Sequence, residues 1–232
     1  CIRDRDRISM SNEVNKSLIR YILYNKTMMT DQTHEKLMQI KQSFRLLMNG
    51  VASQSMREKG LSYKINWGVP VPELQKMALE YGKDYDLAIE LWKEEIRECQ
   101  VLATLIMPAE HMSEDLVDVW MERLRTQEMA ELLAFNLLQH LNFAPALAYQ
   151  WIASDKDMYQ LCGYQLLARL FAKGMEPNER GINEFLDQAH TTLAGENIAL
   201  KHAAFNCVLS FCELGNEMEM IAKKALALSL IH

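Results

Sequence analysis

Six histidines, five cysteines and 31 acidic residues give the chain ample reactive groups, but few are spaced to act together. His111, His140, His190 and His202 form no i, i+4 pair, the spacing that turns two imidazoles toward one metal from one helical face. Cys1, Cys99, Cys162, Cys207 and Cys212 include no CxxC pair, and no Cys/His group has zinc spacing. No metal is therefore expected. His202, on an apolar helix, reads as a core histidine. Cys99, Cys162, Cys207 and Cys212 read as small hydrophobes in a reducing, cytoplasmic setting. Serine and cysteine lack an elbow such as GxSxG, and neither GxGxxG nor a P-loop occurs, which argues against a nucleotide cofactor. Asp115 and Asp118 follow Ser113 at a helix start, where the helix dipole favours carboxylates on a solvated face.

Charge is uneven along the chain. Residues 1–83 carry 14 Lys/Arg and 8 Asp/Glu, whereas residues 84–232 carry 11 and 23, or net +6 against −12. Lys36, Lys41, Arg45, Arg57, Lys59 and Lys64 make the early third basic. They lie on three different elements, so a solvated surface is the simpler reading than a phosphate site. The acidic remainder argues against a polyanion partner, which needs clustered positive charge. No run of about 18 apolar residues is present, so no membrane span is expected. Cys1 to Arg7 is charged and has no apolar core of a signal peptide.

These residues must be positioned by helices. Nine Gly and five Pro in 232 residues are too few turns for an all-β protein. Leu, Ala, Met, Glu and Lys, all good helix formers, dominate. Thr30 or Asp31 starts a helix to about Met48, ended by Asn49 and Gly50, and a short one follows from Ala52 to Lys59. The stretch Gly68 to Pro72 is a rigid bend, with Pro72 opening a helix that Gly82 ends. Asp84 opens the next; another runs from Glu94 to Ile106 and stops before Pro108. Ser113 and Thr126 cap two more, the second with a stripe from Ala130 to Leu141. Helices then run from Pro145, Asp155 and Asn178. Residues 196–214 are apolar on nearly every face, which predicts a helix buried between neighbours. Residues 217–231 close the array. Antiparallel pairs recur about every 30–40 residues, the period of HEAT-like units. The reading is an all-α, HEAT-like helical-repeat solenoid over residues 29–232, preceded by an extension at 1–28. Trp67, Trp92, Trp120 and Trp151 should anchor the helix pairs. Trp67, beside the bend, is also a candidate for the concave surface.

Three segments carry a resemblance. The first is Asn66 to Gln75 (NWGVPVPELQ), preceded by Ser55, Met56 and Arg57. The second is Leu91 and Trp92 followed by Glu98 and Ala103. The third is Trp120, then an acidic helix, then Trp151 with Asp155. In order and spacing they resemble the DNA alkylation repair (alkylpurine DNA glycosylase) family, over roughly residues 35–215. The resemblance implies a curved array of HEAT-like helix pairs that excises cationic alkylated purines from DNA. It implies a concave basic face, an aspartate that stabilises the developing sugar cation, tryptophans against the lesion and an arginine on a phosphate.

The motif departs where that chemistry would sit. The Trp-Asp-x-Val-Asp run falls on Gln127, Glu128, Met129, Ala130 and Glu131, so Gln127 replaces the aromatic and Glu131 the key aspartate. Misplacing a carboxylate by about an ångström is worth about 10²-fold in rate. The expected Arg-Arg pair falls on Tyr159 to Cys162, with Gln160 at its centre. The late Trp with Leu-Arg-Glu falls at Phe205 to Leu209, and the Arg after Pro72 is Gln75. A rival register places the acidic run on Glu114 to Asp118, with Trp120 then on its wrong side. Two functions stand. One is a non-catalytic binding or scaffold protein, using the concave face for DNA or for a protein partner. The other is an active glycosylase with Glu131 in the aspartate's place and Gln127, Glu128, Trp67, Gln160 and Phe205 as cleft residues.

Overall fold

The computed structural model describes residues 31–227; the expected extension at 1–28 and residues 228–232, which include the expected end of the last helix at 231, lie outside the described residues. Twelve α-helices and two 3-10 turns make up that region: α1 Asp31–Leu46, α2 Gly50–Glu58, α3 Val71–Tyr81, α4 Tyr85–Lys93, α5 Arg97–Ile106, α6 Glu114–Met121, α7 Gln127–Asn136, α8 Ala144–Ile152, α9 Asp157–Ala172, α10 Glu179–Ala194, α11 Ile198–Cys212 and α12 Asn216–Ala227. The 3-10 turns are Ala109–His111 and Leu138–His140. Among the described residues the only extended pairing is one parallel bridge between Ile65 and Ile96.

Local chemistry sets most boundaries. The side chains of Asp84, Ser113, Thr126, Asn178 and Asn197 accept from backbone N–H groups in the first turns of α4, α6, α7, α10 and α11. Asn49 does the same for α2 through the N–H of Ala52, so it starts that helix rather than ending the one before. Residues 94–96 are extended, and α5 begins only at Arg97, because Ile96 is drawn into the bridge with Ile65. The stripe from Ala130 to Leu141 is interrupted at Leu137, whose φ of −129° and ψ of −60° divide α7 from the 3-10 turn.

The helices form two rows. α3, α5, α7, α9 and α11 pack one against the next, while α1, α4, α8, α10 and α12 back them. α6 joins this second row, since Trp92 of α4 stacks on Trp120 of α6 with ring centroids 4.2 Å apart and planes 7° apart. The first row is the more closely packed, which curls the array with that row inside. Hydrogen-bonded neighbours repeat in sequence: Gly68 with Glu98 is 30 residues apart, Arg97 with Glu128 31, Asn136 with Thr104 32, and Gln165 with Glu131 34. That constant offset is the period of a solenoid, in which each unit touches mainly its neighbours.

A continuous apolar spine runs between the rows, from Ile40 and Phe44 through Trp92, Trp120, Leu133 and Trp151 to the mutual ring contacts of Phe171, Phe185 and Phe211. α9 is central to it, contacting α7, α8 and α11. Gly163 permits this approach: a Cβ there would lie 2.8 Å from the Ile152 backbone nitrogen. α11 is not buried all round. Ile198, Phe205 and Leu209 are exposed, so this helix keeps one face uncovered by its neighbours.

Candidate nucleic-acid interface

Arg97 heads a buried ionic network that ties three successive units together. Its guanidinium is bidentate on Glu128, with Nη2 2.5 Å from Oε1 and Nε 2.9 Å from Oε2. Nη1 donates to the Val69 carbonyl at 3.0 Å. The Tyr63 hydroxyl donates to Glu128 Oε2 at 2.6 Å, and Thr126 Oγ1 donates to that hydroxyl at 2.7 Å. Glu98, fully buried, accepts from the backbone N–H groups of Trp67, Gly68 and Val69, so its carboxylate holds the bend that precedes α3. Burial by itself would raise the Glu128 carboxyl, but the hydrogen bonds and charge of Arg97, with help from Tyr63, hold it below the usual carboxylate range. Burial and then the Glu128 charge push the Tyr63 phenol well up.

Because the Glu128 pKa is depressed in the fold, its contribution to stability is present above the unfolded carboxylate pKa of about 4.3 and is lost as pH falls through the lower folded value. Denaturant titrations of the wild type at descending pH should therefore show a loss below about pH 4.5. Glu128→Gln should flatten that acid limb, and an unchanged limb would remove Glu128 from this role.

Three expected cleft residues thus have other duties. Glu128 is an internal ion-pair partner. Trp67 packs against Phe44 with centroids 5.6 Å apart, and its backbone N–H is held by Glu98. Gln160 is half-buried and donates to the Ile152 carbonyl at 3.1 Å and toward Thr192 Oγ1 at 3.4 Å, between α8 and α10. Each meets a partner supplied by a neighbouring unit.

Of the remaining candidates, Glu131 and Phe205 are exposed and Gln127 is half-buried. Glu131 is exposed on α7, and its Oε1 accepts from Gln127 Nε2 at 2.9 Å and from Gln165 Nε2 at 3.3 Å. Gln165, on α9, was not singled out from the sequence; it lies one unit beyond Glu131, at the repeat offset. One helical turn further along both helices, the Arg169 guanidinium sits over the Phe135 ring, 4.6 Å from its centroid, with Phe135 44% exposed. Phe205 is 51% exposed on α11, the next inner helix. α7 and α9 thus present two adjacent rungs. One is a carboxylate between two amides; the other is a cation on an aromatic ring.

The net charge of −12 over residues 84–232 is not spread over this wall. Helices α4, α6, α8, α10 and α12 carry ten acids and four cations, whereas α5, α7, α9 and α11 carry four acids and three cations. Of those four inner acids, Glu98 and Glu128 are committed to the Arg97 network. The inner wall is close to neutral, and the acidity belongs to the outer helices and the connections.

A cavity of about 750 Å³ opens at the N-terminal ends of α5 and α7, lined by Tyr63, Lys64, Glu95, Arg123, Arg125 and Thr126 among others. Its charges are of both signs, and Lys64 pairs with Glu95 across its mouth. Among the described residues no group of three His, Cys, Asp or Glu side chains could hold a metal ion, and no helix is long and apolar enough to cross a membrane. Burial raises the thiols of Cys99, Cys162 and Cys207, which suits packing and opposes nucleophilic use.

A solved structure described as "a new family of proteins related to the HEAT-like repeat DNA glycosylases with affinity for branched DNA structures" superposes with a TM-score of 0.71 at 20% identity, covering 82% of this chain and 83% of that one. At that identity the likeness shows the fold. No curated protein matches. The profile of the DNA alkylation repair enzyme family matches residues 40–210, the span that contains the bend, the Arg97 network and both rungs of the inner wall. The chain belongs to the DNA alkylation repair enzyme family.

Proposed function

We propose that this protein binds DNA through its inner wall without excising bases. The observation that carries this reading is the setting of Glu131. Its carboxylate accepts from two glutamine amides, and among the described residues it has no salt bridge. Excision of a cationic purine needs a developing sugar cation to be stabilised at a fixed distance, and a grip on the neighbouring phosphate. An exposed glutamate tethered by neutral amides supplies neither at the required placement. The near-neutral wall supports contact with DNA that relies on shape, and the solved relative with affinity for branched DNA shares this fold. A protein ligand on the same wall is the competing scaffold reading, and the exposed Phe135, Phe205 and Leu209 are the features that favour it.

The excision reading retains one favourable observation: Glu131 is solvent-exposed and has no ion-pair partner among the described residues. The test incubates wild-type protein with duplex DNA carrying methylated, cationic purines and measures free base. Release at the background rate is expected, with Glu131→Gln indistinguishable from wild type. Release above background that disappears in Glu131→Gln would overturn the proposal. A parallel titration of four-way junction and linear duplex at low salt should show tighter binding to the junction.

A further inference from the structure

We infer that a row of cations at the C-terminal rim of the inner helices forms a track for the sugar-phosphate backbone of DNA. It comprises Lys83, Lys173 and Arg169, with His140 between them. This deepens the DNA-binding reading and rests on it.

Each cation comes from a different part of the chain, and the stacking brings them into register. Lys83 precedes α4, yet its Nζ reaches the end of α5, donating to the carbonyls of Leu105 at 2.9 Å and Met107 at 3.1 Å. Lys173 follows α9, and its Nζ reaches the end of α7, donating to the Gln139 carbonyl at 3.3 Å. His140 adjoins Gln139 in the 3-10 turn after α7. Burial lowers its pKa first, and the charges of Lys173 and Lys83 lower it further, so both ammonium groups lie within electrostatic reach of one imidazole. Arg169 lies one turn before Lys173 and sits over the Phe135 ring, 4.6 Å from its centroid. All four groups are exposed.

Helix C-termini attract cations for structural reasons, since their terminal carbonyls carry partial negative charge. That accounts for part of the placement of Lys83 and Lys173. It does not account for Arg169, which touches a ring rather than a carbonyl. Among the described residues no hydrogen bond uses its N–H groups, the donors that fit a phosphate in pairs. Lys83 and Lys173 each keep at least one ammonium donor beyond those used on carbonyls. Glu110 is the carboxylate whose charge reaches Lys83, and no carboxylate is paired with Arg169 among the described residues. Lys83 reaches the end of α5 while Lys173 and Arg169 both reach α7, so the cations span two neighbouring helices about 8–10 Å apart. At about 3.4 Å per phosphate along one strand, that spacing covers about three phosphates. The track borders the Glu131 rung, so a backbone lying on it passes the hollow without needing a positive wall.

The test follows the salt dependence of binding to a fluorescent four-way junction between about 50 and 200 mM salt, where each neutralised phosphate contributes about 0.9 to the slope of log K against log salt. Arg169→Gln, on an exposed position, should lower that slope by about one and weaken binding at every salt concentration. The triple variant Lys83→Gln, Arg169→Gln, Lys173→Gln should lower it by about three. Arg180→Gln, on outer helix α10, should leave it unchanged. Wild-type binding with an undiminished slope in Arg169→Gln, or an equal loss in Arg180→Gln, would refute the track while sparing the DNA reading. Absence of wild-type binding to any DNA would refute both, and the base-release result would stand apart from either.

Discussion

Arg97→Ala is expected to be among the most destabilising single substitutions in the chain. Arg97 is 1% exposed and Glu98 is 0% exposed, while the Glu128 side chain keeps 19% of its surface. Removing the guanidinium strips Glu128 of its bidentate partner and Glu98 of its nearest cation, and leaves the Val69 carbonyl without its Nη1 donor. Breaking a buried ion pair from one side costs about 3–5 kcal/mol, against a total domain stability of about 5–15 kcal/mol. Equilibrium denaturation followed by circular dichroism should show the midpoint falling with little change in slope. Arg97→Lys should recover part of the loss, because it restores charge without the planar fork. Pairing Arg97→Met with Glu128→Leu should recover more, since the remaining apolar site carries no orphaned charge at Glu128. A midpoint for Arg97→Ala within experimental scatter of wild type would show that the network holds nothing together.

Gly68→Ala is expected to be comparably severe, by an unrelated mechanism. Gly68 has φ of +74°, and a Cβ there would meet the Asn49 carbonyl oxygen at 2.1 Å and the Ser53 nitrogen at 2.8 Å. Those backbone atoms are already bonded to each other, since the Ser53 N–H donates to the Asn49 carbonyl at 3.0 Å in the first turn of α2. The obstacle is therefore a helix start that cannot swing aside as a side chain would. The left-handed conformation costs about 1–2 kcal/mol for a residue with a Cβ. Overpacking against fixed atoms adds about 1–3 kcal/mol. The Gly68 N–H also donates to Glu98 Oε1 at 2.9 Å, so the shift would propagate into the Arg97 network. Gly82→Ala offers the contrast. Gly82 has φ of +68° with nothing within 4 Å of a Cβ, so it should lose only the conformational part. Thermal melts of the two variants should separate clearly; coincident melts would exclude the close approach to Asn49.

The helix starts were legible in the sequence because a cap is a local matter: Asp84, Ser113, Thr126 and Asn178 each bond to an N–H three residues on. The tryptophan anchors were legible for a similar reason, since an indole of that size must be packed in any helical array. Trp92, Trp120 and Trp151 are all buried. Contacts within one helix were legible, as with Gln127 and Glu131, which bond across a single turn. It was not legible across helices. Glu128 sits beside Glu131 in sequence, but it is claimed by Arg97 from 31 residues away. Gln165 and Arg169 acquire their meaning only from the α7–α9 register. Phe205 lies on a helix apolar enough to suggest burial, yet its side chain is exposed because α11 keeps one face uncovered by its neighbours. The charge balance was too coarse for the same reason: a total over residues 84–232 does not say which row the acids occupy.

If the proposed DNA reading holds, the segregation of acids onto the outer row would affect how the polyanion arrives. Repulsion at the acidic back would act as a torque on an approaching strand and turn the less acidic face toward it before contact. Such orienting fields reach about 10 Å at 0.1 M ionic strength and shrink as salt is added. Productive collisions would thus be selected by rejection from behind as much as by attraction from within, so that the acidic wall acts as a guide for the encounter.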